Sequence, residues 1–474
     1  MSNFTQWTAD EQLAEQLIPL LGRLYRDHAV IILLNGLSLV QRSPVELVQA
    51  HRRGHTLHGH DLSPAWTLEA CQALLDLDVA PVEIDLGRLI VDWRAGGADQ
   101  SLTAWLGARC DTLPRRNGKP AREACDVVLY GFGRIGRLLA RLLIAKTGGG
   151  DKYRLRAIVV RKQADDDLER RANLLRRDSV HGPFRGAVKV LADQSALEIN
   201  GQLVHVIQAA GPDKVDYTAY GIRDAIVIDN TGAWRDRAKL GMHLASPGVG
   251  RVILTAPGKG DIPNIVYGVN QAMILPDERL VSAASCTTNA IVPVLKAIDD
   301  AFGVRQGHIE TVHAYTNDQN LIDNYHAKAR RGRGAALNLV ITETGAASAV
   351  AKALPHLKGR LTGSAIRVPV PNVSLAILKL NVDKPVSKED LNAWLREIAS
   401  ASPLQAQIGW TANVDTVSSD LVGDTHGGVV DAEATQVLGD QVVLYVWYDN
   451  EYGYSCQVMR VLEHLCGVTR PLFP

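Results

Sequence analysis

DVVLYGFGRIGRLLARLLIA, residues 126–145, joins an apolar run to a glycine-rich turn and then to a run of helical periodicity. Gly131, Gly133 and Gly136 fit the pattern G-x-G-x-x-G and stand where a strand hands over to a helix. The first glycine permits a tight turn, the second lets a pyrophosphate approach the backbone, and the third lets helix and strand pack closely. The helix N-terminus adds amide donors and a positive dipole. An ordinary strand-to-helix turn is the competing explanation of such a match. RLRAIVVRK, residues 154–162, supplies the next strand and with it the start of a parallel α/β unit. A carboxylate at its end would bind the ribose hydroxyls of NAD; Arg161 and Lys162 stand there instead and suit the extra phosphate of NADP. The alternative makes both solvated charges and gives the ribose to an acid of QADDDLE such as Asp165. NADP is the expected cofactor, with NAD possible.

The rest of the 474 residues extends this unit. AIVIDNTG from Ala225 and RVILTAPG from Arg251 continue the strand series. Beyond residue 286, HIETVHAYT, SAIRVPVPNVSLAILKLNV and QVVLYVWYDNEYGYS alternate as an antiparallel sheet with one wet face does. The expected fold class is α/β: a Rossmann-type dinucleotide-binding domain at 122–285, completed by a C-terminal helix within 450–474, and an α+β catalytic domain with an antiparallel sheet at 286–449. Residues 1–121 carry helix-period patterning such as EQLAEQLIPLLGRLY and a start signal at Ser43-Pro44, so an extra, mostly helical N-terminal module is expected. CDTLPRRNGKPAREA, residues 110–124, reads as its linker.

Lysine plus arginine and aspartate plus glutamate both number 51, so no net field draws the chain to nucleic acid or a membrane surface, and small-molecule partners are expected. AVIILLNGLSLV, residues 29–40, is too short to span a bilayer. MSNFTQWTADEQ lacks the basic lead of a secretory signal, so a cytoplasmic location is expected. The six cysteines are scattered without a C-x-x-C pair, which argues against a disulfide framework and a zinc site. His51, His55, His58 and His60 come without acid or cysteine ligands at a known site spacing; an exposed loop is expected, and no metal.

One cysteine differs from the others. SAASCTTNAIVP, residues 282–293, sets Cys286 ahead of a helix-compatible run, where the dipole favours thiolate. His313, in TVHAYTND, ends a strand candidate and is a candidate base. A buried inert thiol and an unrelated histidine are the bland alternative. The balance moves because GFGRIGR, RDSVHGPF, NTGAW, SAASCTTN, TVHAYT, GRGAALN, TGAA, IRVPVPNVS, VSSD and WYDNEYGYS occur here in one order. In this the chain resembles the phosphorylating glyceraldehyde-3-phosphate dehydrogenases.

That resemblance implies a nucleophile at Cys286 and a base at His313, a hemithioacetal oxidised to a thioester, and release of an acyl phosphate by inorganic phosphate. It implies substrate-phosphate contacts at Thr316 and Arg367, and inorganic-phosphate contacts at Ser285, Thr287, Thr344 and Gly345. Arg134 and Ile135 correspond to glycine-loop contacts, Thr231 to the nicotinamide side, Asn450 to the residue fixing the carboxamide, and Tyr454 to an aromatic near that ring. The partners implied are a phosphorylated aldehyde and inorganic phosphate, in a homotetramer.

Four features depart from the pattern. Tyr130 replaces the usual asparagine before the glycine loop, the acid after the second strand is missing, and NYHAKARRGRGAALN lacks a proline common in NAD-preferring members. In the family that basic loop lines a neighbouring subunit's cofactor site, which brings in Arg330 and Arg331. The N-terminal module is the fourth. Erythrose-4-phosphate dehydrogenase is the near alternative, through IDNYHAK, although the retained TGAA favours the phosphorylating enzyme. A non-catalytic cofactor sensor or partner-binding protein is the alternative of another class.

Overall fold

The structure, a computed structural model, describes residues 3–52, 54, 62–79, 82–113, 115, 124–148 and 152–468. Among the described residues there are three sheets; the first and third each pack on one apolar core, and the second carries one on each face.

The first sheet belongs to the N-terminal module, which is therefore more than helical. Helices Asn3–Asp27, Pro44–Arg52, Pro64–Asp76, Leu86–Gly96 and Leu102–Arg109 enclose strands β1 (Val30–Leu34), β2 (Leu37–Ser38) and β3 (Val82–Asp85) in the order β2-β1-β3. The reason is local. Val30, Ile31 and Ile32 favour extended backbone, and Asn35-Gly36 turns the chain with φ of 50° and 78°. Asp85 locks that turn, its carboxylate accepting from Asn35 N at 2.8 Å and Gly36 N at 2.6 Å. His51 is a core residue, held between Leu47 O at 2.6 Å and Thr67 Oγ1 at 2.8 Å. His55, His58 and His60 lie outside the described residues.

The second sheet holds β4 (Cys125–Tyr130), β5 (Tyr153–Val160), β6 (Val188–Leu191), β7 (Ala196–Ile199), β8 (Gln202–Gln208), β9 (Ala225–Asp229), β10 (Val249–Leu254) and β11 (Leu280–Ser282). Strands β8-β5-β4-β9-β10-β11 run parallel in the doubly wound order, and β7 and β6 extend the β8 edge antiparallel. The strand order reverses between β4 and β9, which opens a crevice at their carboxyl ends. Helix Tyr452–Leu465 returns to this core: Val458, Met459 and Leu462 pack with Val127, Leu129 and Leu139.

The third sheet comprises β12 (Val304–Ala314), β13 (Val340–Thr342), β14 (Leu361–Val368), β15 (Ser374–Val382), β16 (Ile408–Thr411), β17 (Gly428–Leu438) and β18 (Gln441–Tyr448), ordered β13-β14-β12-β15-β18-β17-β16. Most neighbours are antiparallel, while β12–β14 and β16–β17 are parallel pairs. The parallel β12–β14 register sets His313 beside Arg367. One face of the sheet buries helix Cys286–Phe302, with Ile291, Val294, Leu295 and Ile298 against Ile309, Leu378 and Leu444.

The module docks on the dinucleotide-binding unit through polar contacts. Tyr25 Oη donates to Ala145 O at 3.0 Å. Lys146 Nζ sits 2.9 Å from Glu83 of the module and 3.4 Å from Glu463 of the C-terminal helix, both buried carboxylates.

A Cβ on Gly136 would lie 2.5 Å from Gly131 O, so Gly136→Ala must push the helix Arg134–Lys146 off β4. Thermal denaturation should show a loss of about 1–3 kcal/mol, and a titration should show weakened dinucleotide binding.

Candidate active site

Cys286 opens the helix Cys286–Phe302, two residues beyond Ala284, whose φ of 56° is a left-handed value that a side chain tolerates poorly. Asn289 holds that turn, its Nδ2 donating to Ala283 O at 2.8 Å and Ser285 O at 2.9 Å. Ser285 caps the helix by accepting from Thr288 N at 3.0 Å. The chain leaves the nucleotide-binding sheet at β11 and enters the catalytic core with this helix, so Cys286 packs against both cores.

His313 meets it from the end of β12: Cys286 Sγ and His313 Nε2 are 3.6 Å apart. The histidine is 7% exposed, and the cysteine is partly buried. Burial pushes the Cys286 thiol up against the opposing pull of Arg367 and Thr287, while burial and the Arg367 guanidinium bring His313 down to about 3. Tyr454 donates its hydroxyl to Ala284 O at 3.0 Å, beside the sulfur, and Tyr448 bonds Thr287 Oγ1 at 3.0 Å.

A cleft of about 600 Å³ adjoins the pair, lined by Arg235, Thr316, Asp318, His326, Ala327, Lys328, Arg331 and Arg367. Thr316 and Arg367 thus line one cleft. Ser285 and Thr287 flank the cysteine, whereas Thr344 and Gly345 begin the separate helix Ala346–Ala353, with Thr344 Oγ1 accepting from Ala346 N at 3.2 Å. Arg331 lines the cleft of its own chain and pairs with Asp318, and Arg330 lies exposed in the turn Ala329–Gly332. The sequence analysis gave no role to Arg235, which follows NTGAW, or to Lys328, which lies within IDNYHAK.

The glycine turn fits a dinucleotide. Gly131 has φ of 97°, and a Cβ there would meet Thr231 Cγ2 at 3.1 Å, so the backbone is bare where a pyrophosphate must approach. Gly133 precedes helix Arg134–Lys146, whose start carries no side-chain cap. Ile135 packs against the core from its first turn. The Arg134 side chain is committed elsewhere, its Nε 2.8 Å from Glu451 Oε1 and its Nη1 2.8 Å from Asp178. Opposite the turn, Thr231 donates through its hydroxyl to buried Asp229 at 2.6 Å. Asn450 is buried, and its Oδ1 accepts from Ser374 Oγ at 2.7 Å, which leaves Nδ2 as a donor. Arg161 and Lys162 are exposed beyond β5, where Lys162 pairs with Asp165 at 3.0 Å. Tyr130 is a core aromatic, edge-on to His243 at 4.7 Å and Trp234 at 5.6 Å.

Fold and crevice define a dinucleotide-dependent dehydrogenase. Comparison with known proteins specifies which kind. Residues 125–237 match the family description "Glyceraldehyde 3-phosphate dehydrogenase, NAD binding domain", and residues 285–450 match "Glyceraldehyde 3-phosphate dehydrogenase, C-terminal domain". A glyceraldehyde-3-phosphate dehydrogenase-like protein of Pseudomonas aeruginosa is 54% identical over 97% of this chain and 100% of its own length. Chloroplastic glyceraldehyde-3-phosphate dehydrogenase A of Zea mays is 40% identical over 74% of this chain and 84% of its own. The Clostridium pasteurianum enzyme is 37% identical over 73% and 99%. The chain belongs to the glyceraldehyde-3-phosphate dehydrogenase family, NAD(P)-dependent oxidoreductases that act on phosphorylated aldehydes with phosphate. The coverage shows that the Pseudomonas relative shares the N-terminal region and that the Clostridium one matches without it.

Ser374 also accepts from Ala314 N at 3.1 Å, so it ties β12 to Asn450. Ser374→Ala removes the donor to a buried amide oxygen. Dinucleotide titration should show about tenfold weaker binding, the equivalent of about 1–3 kcal/mol for a buried group left unpaired.

Proposed function

We propose that the protein is a phosphorylating glyceraldehyde-3-phosphate dehydrogenase, interconverting glyceraldehyde 3-phosphate, phosphate and NADP with 1,3-bisphosphoglycerate and NADPH. The observation that carries this is the 3.6 Å approach of Cys286 Sγ to His313 Nε2 beside a cleft holding Thr316 and Arg367. In this mechanism His313 takes the thiol proton as Sγ adds to the aldehyde carbon, returns it to the carbonyl oxygen to form the hemithioacetal hydroxyl, and takes it up again as the hydride leaves. The Cys286 amide and the imidazole hold the oxyanion. Thr316 and Arg367 grip the substrate phosphate, and Ser285, Thr287, Thr344 and Gly345 receive inorganic phosphate for attack on the thioester. The bound nicotinamide supplies the hydride acceptor. Gly131, Gly133 and Gly136, with the amides of Arg134 and Ile135, cradle its pyrophosphate; Thr231, Asn450 and Tyr454 orient its ring.

The NADP preference is supported by Arg161 and Lys162 at the end of β5 and by the loop NYHAKARRGRGAALN, which lacks the proline common in NAD-preferring members. An NADPH-linked enzyme serves reductive, gluconeogenic flow, in the cytoplasm. A homotetramer is supported by the exposed apolar side chains of Leu321, Ile322, Tyr325, Leu337, Leu339 and Ile341, a face that another copy would cover. We assign residues 1–121 to the module, 122–285 with the C-terminal helix to cofactor binding, and 286–449 to catalysis. Erythrose-4-phosphate dehydrogenase is the second reading, favoured by IDNYHAK at residues 322–328.

Steady-state rates with glyceraldehyde 3-phosphate and erythrose 4-phosphate, each with NAD and NADP and with or without phosphate, test this. Strict phosphate dependence and a preference for the triose phosphate are expected; phosphate-independent turnover of the tetrose supports the second reading. Cys286→Ser should abolish turnover while dinucleotide still binds. Arg161→Ala should weaken NADP about tenfold more than NAD; equal losses would contradict the cofactor assignment.

A further inference from the structure

Among the described residues, two guanidiniums of the cleft have no carboxylate partner, and they come from different domains. Arg367 stands on β14 of the third sheet, with Nη1 donating to Ala314 O at 2.9 Å and Nε buried without an acceptor. Arg235 stands in the loop after β9 of the nucleotide-binding sheet, where Nε donates to Gly232 O at 2.9 Å. That bond leaves both Nη groups as donors. The remaining cations are partly answered: Arg331 pairs with Asp318, and Lys328 lies 3.9 Å from Glu343.

The loop is built to hold Arg235 in that place. Trp234 packs into the core on the far face of the sheet, edge-on to Tyr130 at 5.6 Å, and the next residue is exposed on the cleft. Gly232, with φ of 66°, bends the chain so that its carbonyl meets the Arg235 side chain, and Lys259 N donates to Arg235 O at 2.8 Å. Lys352 of the catalytic core donates to the neighbouring Gly258 O at 3.0 Å, so the segment that fixes Arg235 is itself tied to the other domain. The charge is felt at the centre of the site: burial and Cys286 push the Tyr454 phenol up, and Arg235 opposes them. A neutral aldehyde answers none of these cations. A phosphate monoester, a dianion with several terminal oxygens, can accept from both unpaired guanidiniums and from the Thr316 hydroxyl.

We propose that Arg235 is a specificity residue of this site: it takes the substrate's phosphate from the nucleotide-binding side while Arg367 and Thr316 take it from the catalytic side, so that a phosphate monoester is held across the domain boundary. Aldehydes that carry no phosphate leave both guanidiniums unanswered and are bound less tightly for that reason. The preference for a phosphorylated aldehyde therefore has a determinant in the nucleotide-binding domain, outside every motif singled out in the sequence. This rests on the proposed reading of Thr316 and Arg367 as contacts to the phosphate of glyceraldehyde 3-phosphate.

Arg235→Gln removes the charge and Arg235→Lys keeps it. Steady-state rates of the full chain are compared for glyceraldehyde 3-phosphate and unphosphorylated glyceraldehyde, with dinucleotide and inorganic phosphate saturating. In the glutamine variant the ratio of the two kcat/KM values should fall about 10- to 100-fold, the size of a lost hydrogen bond to a charged group, through a higher KM for the phosphorylated aldehyde. The lysine variant should recover most of that ratio. An equal loss for both aldehydes, the outcome of a loop that has merely slipped, overturns the assignment, and so does a loss confined to the KM for inorganic phosphate. A second measurement needs neither a variant nor turnover: glycerol 3-phosphate at about ten times its Kd should slow modification of wild-type Arg235 by phenylglyoxal about tenfold, read by peptide mass spectrometry. An unchanged rate overturns the proposal. A wild type inactive towards both aldehydes yet protected at Arg235 loses the proposed function and keeps the phosphate site, whereas an active wild type without protection loses the role of Arg235 alone.

Discussion

The turn from Ala283 to Cys286 is the constraint on which the site depends. Here the backbone leaves the parallel sheet and enters the helix that the third sheet buries, so one peptide segment sets the two cores against each other. The left-handed Ala284 is unfavourable by itself. It is tolerated because Asn289 bonds both carbonyls around it and Tyr454 bonds its own. A sharp exit places Sγ at the helix N-terminus and in view of β12, whose last residues bring in His313.

From that point the glycine turn belongs to one core and the cleft's Thr316 and Arg367 to the other sheet, with Cys286 packed against both cores. On one side the bare glycine turn is backed by Asp229, which takes both the amide and the hydroxyl of Thr231 and bonds His243 at 3.1 Å with no exposure to solvent. On the other side Arg235, Lys328, Arg331 and Arg367 line the cleft, and Asp318 pairs with both Arg331 and His326. A small, multiply charged anion suits that side, and a flat ring backed by neutral donors suits the other. Arg134, read from its place after the glycines, instead ties the nucleotide turn to Glu451, the neighbour of Asn450.

The module shares its docking residues with the enzyme's own core. Lys146 terminates the helix that begins at the glycine turn, and it bridges Glu83 of the module to Glu463 of the C-terminal helix. Removing Lys146 would take a shared cation from two buried carboxylates, so module and enzyme are coupled in stability. The module meets the far end of this helix, away from the phosphate-binding end, and also reaches Arg185 through Glu46.

Local rules within the sequence were enough for the glycine turn, the strand series, the helix after Cys286 and the return of the C-terminal helix, because spacing and periodicity act between near neighbours. They also carried the family resemblance, since those motifs lie in order along the chain. They missed the β1–β2 hairpin, although Asn35-Gly36 between its two apolar runs is a turn signal. Only the tertiary structure decided that His313 faces Cys286 across 27 positions of sequence, that Arg367 lies beside it, and that Ser374 fixes the amide of Asn450. Those contacts depend on which strands become neighbours in the third sheet. Strand neighbours are chosen by burial over the whole sheet, which no short stretch of residues encodes.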